Sequence, residues 1–101
     1  MIPLGGIAIK RNFDQELKNK VNQLIRASVE SAWSRPESAM PFVAEHAQEM
    51  ETEVMKQHID LYVNRFSSDM GEEGKMAVKS LYQKGNEAGI VPSLDYSDIF
   101  I

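Results

Sequence analysis

The sequence predicts a mainly α chain, one N-terminal strand followed by about four helices, and two patterns carry that expectation. Residues 2–9 form an unbroken apolar run, and from Asn12 onward apolar residues recur at intervals of three and four. Composition adds that the chain should fold. Of 101 residues 43% are hydrophobic and 26% charged, with 6 Gly and 4 Pro, which is ordinary globular usage and excludes disordered and collagenous classes. At this length one modest core is available.

Ile2-Pro-Leu-Gly-Gly-Ile-Ala-Ile9 is short, apolar on both faces and stopped by Lys10-Arg11, the profile of a strand buried on both sides of a sheet. The first helix is expected from Asn12, with Leu17, Val21, Leu24, Ser28 and Ala32 on one stripe and Ile25, Val29 and Trp33 widening it. Asn12 and Gln15 stand in capping-box spacing at its start, and the stripe runs for about five or six turns. Ser34-Arg35-Pro36-Glu37 is a stop and a second capping box, which predicts a short helix from about Pro36 to Ala47, with Pro41 in its early turns. Val54, Met55, His58, Ile59, Tyr62, Val63 and Phe66 place a third helix over Thr52 to Asn64. Ala77, Val78, Leu81 and Tyr82 place a fourth from about Gly71 to Lys84, closed by Gly85 in C-cap position. Residues 86–101 read as a tail, with a weak strand candidate at its apolar end.

One strand before four helices is an incomplete fold. A lone strand leaves its backbone donors and acceptors unpaired, so its sheet must lie elsewhere: in a larger α/β protein of which this is a piece, or in a second copy of the chain. No linker separates Lys10 from Gly85 and no repeat is present, so 1–101 reads as a single segment.

Several chemistries are excluded by composition. With Cys 0 there is no disulfide framework, thiolate nucleophile, Cys-based zinc site or iron–sulfur cluster. A net charge of -4 gives no electrostatic footprint for nucleic acid or an anionic membrane. The charge is uneven: residues 10–35 carry six basic and three acidic groups, residues 37–60 one basic and six acidic. No apolar run reaches the length of a membrane span, and residues 1–9 lack the basic start of a signal peptide.

His46 and His58 are the only histidines, and twelve residues between them does not bring both to one ion as His-Glu-x-x-His does, so no metal is expected. His58 lies on the apolar stripe, where a hydrogen-bonded packing role is expected. Glu49, Glu51 and Glu53 straddle a helix start, where acids complement the helix dipole. Met40, Met50, Met55, Met70 and Met76 read as core filler and Trp33 as a core anchor. Gly5-Gly6 is the most suggestive feature, because paired glycines in a buried strand mark a bend or the close approach of a ligand or another backbone. It is not a dinucleotide fingerprint, since Gly-x-Gly-x-x-Gly is missing.

Residues 2–11, then Met40-Pro-Phe-Val43 with Glu45-His-Ala-Gln-Glu-Met50, Met55-Lys-Gln-His-Ile-Asp-Leu-Tyr-Val-Asn64 and Gly71-Glu-Glu-Gly74, resemble the C-terminal part of the 1,4-dihydroxy-6-naphthoate synthase family. That likeness runs over roughly Ile2 to Leu81. It implies a segment of an α/β, class II periplasmic-binding-protein-like two-lobed fold, with Ile2–Ile9 as the strand returning to lobe one and residues 12–85 as its closing helices. It also implies a cytoplasmic carbon–carbon lyase of the futalosine route to menaquinone, acting on cyclic dehypoxanthinyl futalosine without a cofactor. The family's proposed catalytic histidine lies outside this stretch and matches neither His46 nor His58, so the segment has no catalytic residue and is expected to be inactive alone. Leu4, Gly5 and Gly6 match the family's hinge-proximal Pro-Leu-Gly-Gly stretch and are the candidate substrate-binding residues.

Three other readings compete. A sister chorismate dehydratase or a transporter's solute-binding protein would share the fold implied by the resemblance. A free-standing helical module would self-associate through Ile2 to Ile9. The partner expected in the parent protein is a small-molecule substrate, not nucleic acid or membrane.

Overall fold

The computed structural model describes residues 2–48 and 51–101. Five α-helices follow one another: α1 (Gln15–Ser34), α2 (Pro36–His46), α3 (Thr52–Tyr62), α4 (Arg65–Ser68) and α5 (Gly71–Glu87), with a 3-10 turn at Tyr96–Asp98. The helical class expected from the three-and-four periodicity is what the chain adopts.

The expected N-terminal strand is absent, and with it any sheet among the described residues. Residues 2–9 have no regular secondary structure, and none of them makes a backbone hydrogen bond to a described residue. The reason is that a strand is defined by its ladder. An apolar, β-branched run has the propensity, but its backbone gains nothing from extension without a neighbour to bond. The weak candidate near Ile101 supplies no such neighbour: its centre is the 3-10 turn, capped where the Asp95 carboxylate accepts the Ser97 N–H at 2.9 Å.

Helix boundaries follow local hydrogen bonding more closely than the spacing rules suggest. α1 begins at Gln15 because the Asp14 side chain accepts the Leu17 N–H at 2.8 Å, so Asp14, not Asn12, is the cap. Ser34 does not cap α2; its hydroxyl donates to the Ser31 carbonyl at 3.1 Å, and Arg35 stands at the N-cap without a side-chain capping bond, its guanidinium donating back to the Ser31 hydroxyl at 3.1 Å. Pro36 is the first residue of α2, where its missing N–H costs nothing. The third predicted helix is broken near its end. Asn64 ends that run by starting α4, its side chain accepting the Phe66 N–H at 3.1 Å while the Ser67 hydroxyl accepts the Asn64 N–H at 3.1 Å. α5 overruns the expected stop at Gly85, which lies inside the helix. The left-handed residue that ends it is Gly89, with φ of 71°, and the Ile90 N–H returns to the Gly85 carbonyl at 2.8 Å.

The chain divides into two compact units, one made of the residues up to Lys20 together with Met70–Ile101, the other of Val21–Asp69. In the second unit α4 is tied to α1 by side chains far apart in sequence. The Ser68 hydroxyl donates to the Glu30 carboxylate at 3.1 Å, and Arg26 lies 3.8 Å from Asp69. Met55 of α3 is the one buried hydrophobic side chain among the described residues, at 6% exposure. Among the described residues of the first unit only Gly74 of α5 is buried. Trp33 is 45% exposed, so it is not the core anchor its place on the stripe predicts. Met70 and Met76 are exposed and Met40 is half-buried; Met50 lies outside the described residues.

Candidate functional site

Leu4, Gly5 and Gly6 sit in the irregular stretch before α1, consecutive and all exposed, Leu4 at 56%. Gly5 and Gly6 have open space around them: a methyl group on either would meet nothing within 4 Å. Nothing in the described chain therefore requires glycine at these two positions for packing. Their neighbours along the chain, Ile2 and Ile7, are 74% and 78% exposed.

The two histidines are in separate local environments. His46 ends α2, its ring stacked on Phe42 with centroids 4.2 Å apart and Nδ1 2.9 Å from the Phe42 carbonyl. That position lets a C-terminal histidine satisfy one of the helix's last carbonyls. His58 lies exposed on α3, tilted against Tyr62 at 4.8 Å, and its ring makes no hydrogen bond among the described residues. It is a surface ring on an aromatic neighbour, not the hydrogen-bonded packing histidine its place on the stripe suggests. No group of three His, Asp or Glu able to hold a metal occurs among the described residues. Of the acidic cluster, Glu49 lies outside them, and Glu51 and Glu53 flank the start of α3 as the dipole argument expects.

The spacing rules miss one polar cluster. Arg26 Nε donates to Glu30 at 2.9 Å one turn along α1, and Ser68 and Asp69 join them. The Arg26 hydrogen bond, with that from Ser68, holds the Glu30 carboxyl below the usual carboxylate range, and Glu30 in turn raises the Arg26 guanidinium. The i,i+4 half of this cluster is readable in the sequence. Its other half depends on where α4 lies, which no spacing encodes. A carboxylate held ionised in an exposed ion pair is a tether, since general acid–base chemistry needs a group poised near the working pH.

No helix among the described residues is long and apolar enough to cross a membrane. A family model described as menaquinone biosynthesis matches residues 1–87. The chain belongs to the menaquinone biosynthesis family. Two relatives bear the same name. A 1,4-dihydroxy-6-naphtoate synthase of Streptomyces coelicolor is 44% identical over 93 residues, covering 92% of this chain and 33% of that protein. A protein of that name from Thermus thermophilus is 38% identical over 89 residues, covering 88% of this chain and again 33% of its own. This member of the family thus spans about a third of the length of the curated relatives it matches. No solved structure matches it.

Proposed function

We propose that these 101 residues are a segment of a 1,4-dihydroxy-6-naphthoate synthase acting in menaquinone biosynthesis, and that the segment alone turns nothing over. The observation that carries this is 44% identity across 92% of the chain to a protein of that name. The reaction proposed for the complete enzyme is cytoplasmic carbon–carbon bond cleavage, releasing 1,4-dihydroxy-6-naphthoate from cyclic dehypoxanthinyl futalosine. The isolated segment is unsuited to that chemistry on its own. Hydrogen bonds hold the Glu30 and Asp95 carboxylates ionised, and among the described residues neither histidine is buried or paired with an acid.

Leu4, Gly5 and Gly6 are the proposed substrate contacts. Two glycines that the packing of this chain does not require, beside an exposed leucine, fit a wall against which a ligand comes close. The test is a chimera: the Streptomyces coelicolor synthase with its 93 matched residues replaced by those of this chain. The chimera should form naphthoate from cyclic dehypoxanthinyl futalosine while the 101-residue chain alone does not. A folded chimera that leaves the substrate untouched would sink the reading. Gly6→Val in the active chimera should lower kcat/KM by about tenfold or more, the loss expected when a misfit side chain enters a substrate pocket. Unchanged kinetics would remove the three residues from the site.

A further inference from the structure

Residues 2–9 make no backbone hydrogen bond to a described residue, so the direction in which they leave α1 is set at the turn over residues 10–14. There the Phe13 N–H donates to the Lys10 carbonyl at 3.4 Å, and Asp14 caps the helix through the Leu17 N–H. One further bond crosses the turn. Lys18, in the first turn of α1, reaches back seven residues, and its Nζ donates to the Arg11 carbonyl at 2.8 Å. Spacing predicts a different partner: Asp14 stands four residues before Lys18, the separation at which opposite charges pair on a helix. The Asp14 carboxylate is turned to the Leu17 N–H instead, and no ion pair joins it to Lys18 among the described residues. Lys20 behaves as an ordinary surface lysine, exposed and paired with Glu16 at 3.1 Å along the helix. Lys18 is the one residue from Lys10 to Lys20 that is half-buried.

An ammonium on a neutral carbonyl has no charge to neutralise there; the bond fixes the angle between α1 and the chain that enters it. The Arg11 side chain is engaged as well. Asp95 lies below its ordinary value first through hydrogen bonds from Ser97 and then, more weakly, through the Arg11 charge, and both segments belong to one compact unit. From Arg11 to Gly6 is a span of at most about 17 Å of chain. Ile7 and Ile9 within it are β-branched residues that favour extended backbone, so an angle fixed at Arg11 is carried to Gly6.

We propose that Lys18 is a positioning residue for the substrate: by bonding the Arg11 carbonyl it aims the Leu4–Gly6 stretch from the first turn of α1, without itself touching the ligand. The proposal rests on the family reading and on those three residues as substrate contacts, and adds the group that places them.

Lys18→Met keeps the long stem and loses the donor, Lys18→Arg keeps both, and Lys20→Met controls for loss of a lysine from the same helix. In the chimera with the Streptomyces coelicolor protein, Lys18→Met should raise KM for cyclic dehypoxanthinyl futalosine about fivefold or more with kcat within about twofold. Lys18→Arg should restore KM, and Lys20→Met should move neither constant. A lysine that only stabilised the fold would act differently, because its loss would lower the active fraction and hence kcat at constant KM. Amide exchange in the 101-residue chain needs no substrate: Lys18→Met should speed exchange at Phe13 about tenfold, and Lys18→Arg should reverse it. Unchanged exchange at Phe13 would overturn the proposal, since the bond then does not hold the turn. So would a fall in kcat at constant KM, or a Lys20→Met variant that matches Lys18→Met. A folded chimera that makes no naphthoate refutes the enzyme assignment, and with it the substrate that Lys18 would serve; an active chimera indifferent to Lys18→Met refutes the proposal alone.

Discussion

At the scale of single residues, the sharpest electrostatic statement concerns Glu30. Its carboxyl lies below the ordinary glutamate value because Arg26 and then Ser68 hydrogen-bond the charged form. A depressed carboxyl contributes stability that is present above the unfolded value, about 4.3 for glutamate, and lost as the pH falls through the lower folded value. In a carbon-detected NMR titration Glu30 should therefore show a lower midpoint than an unpaired glutamate, and Arg26→Gln should move it upward. A midpoint indifferent to Arg26 would mean the pair does not persist in solution. The contribution to stability should be small and salt-sensitive, as for exposed pairs generally, since both side chains are about half exposed. Asp14→Ala removes the oxygen that accepts the Leu17 N–H and should cost about 1 kcal/mol of helix stability, read as a lower thermal midpoint. The same change at Asn12, the cap that spacing alone selects, should cost nothing measurable.

Elements show where the sequence is legible. The three-and-four periodicity finds α1, α3 and α5 because each needs only an apolar stripe, and side chains three or four apart lie on one face wherever the helix sits, whereas α2 is found from the start signal at Pro36. It misses α4, whose four residues are too few for a stripe; the signal that was available is Asn64 with Ser67 three residues on, a reciprocal cap. Asn64→Ala should accordingly unravel this single turn and speed amide exchange at Phe66 without shortening α3, whose last turn is closed by the Val63 N–H on the Ile59 carbonyl. Pro41 is the opposite case. It is the sixth residue of α2, past the first turn, so its ring removes one helical hydrogen bond and crowds the preceding turn. Pro41→Ala should raise stability by about 1–3 kcal/mol, seen as a higher thermal midpoint, and no change would show that α2 is not formed in the isolated chain. The segment at residues 2–9 failed as a strand for a different reason. Propensity and apolar pattern were both present, but strand formation is decided by a partner, and none occurs among the described residues.

For the whole molecule, periodicity reports which face of a helix is apolar and says nothing about whether that face is covered. Leu24 lies on the predicted core stripe of α1, yet it remains 69% exposed, and of the candidate site Leu4 is 56% exposed while Gly5 and Gly6 stand in open space. The candidate site was legible as a stretch of sequence and not as a geometry, because no described residue comes within 4 Å of a methyl group placed on Gly5 or Gly6. Stability must follow the same logic. Folding a chain of this size costs on the order of 100 kcal/mol or more in conformational entropy, offset chiefly by apolar burial. With Met55 as the one buried hydrophobic side chain among the described residues, little offset is available. The isolated chain should therefore unfold over a broad range of urea, with a slope toward the low end of the 1–3 kcal/mol/M or so typical of small domains, because a folded chain that already exposes 8208 Å² has less surface left to expose than a compact domain of this size. Met55→Ala, a change that costs about 2–5 kcal/mol in a formed core, should abolish what cooperative transition exists in the Val21–Asp69 unit. A steep transition that survives this substitution would mean that the apolar stripes are covered in solution, by a second copy if its midpoint rises with concentration.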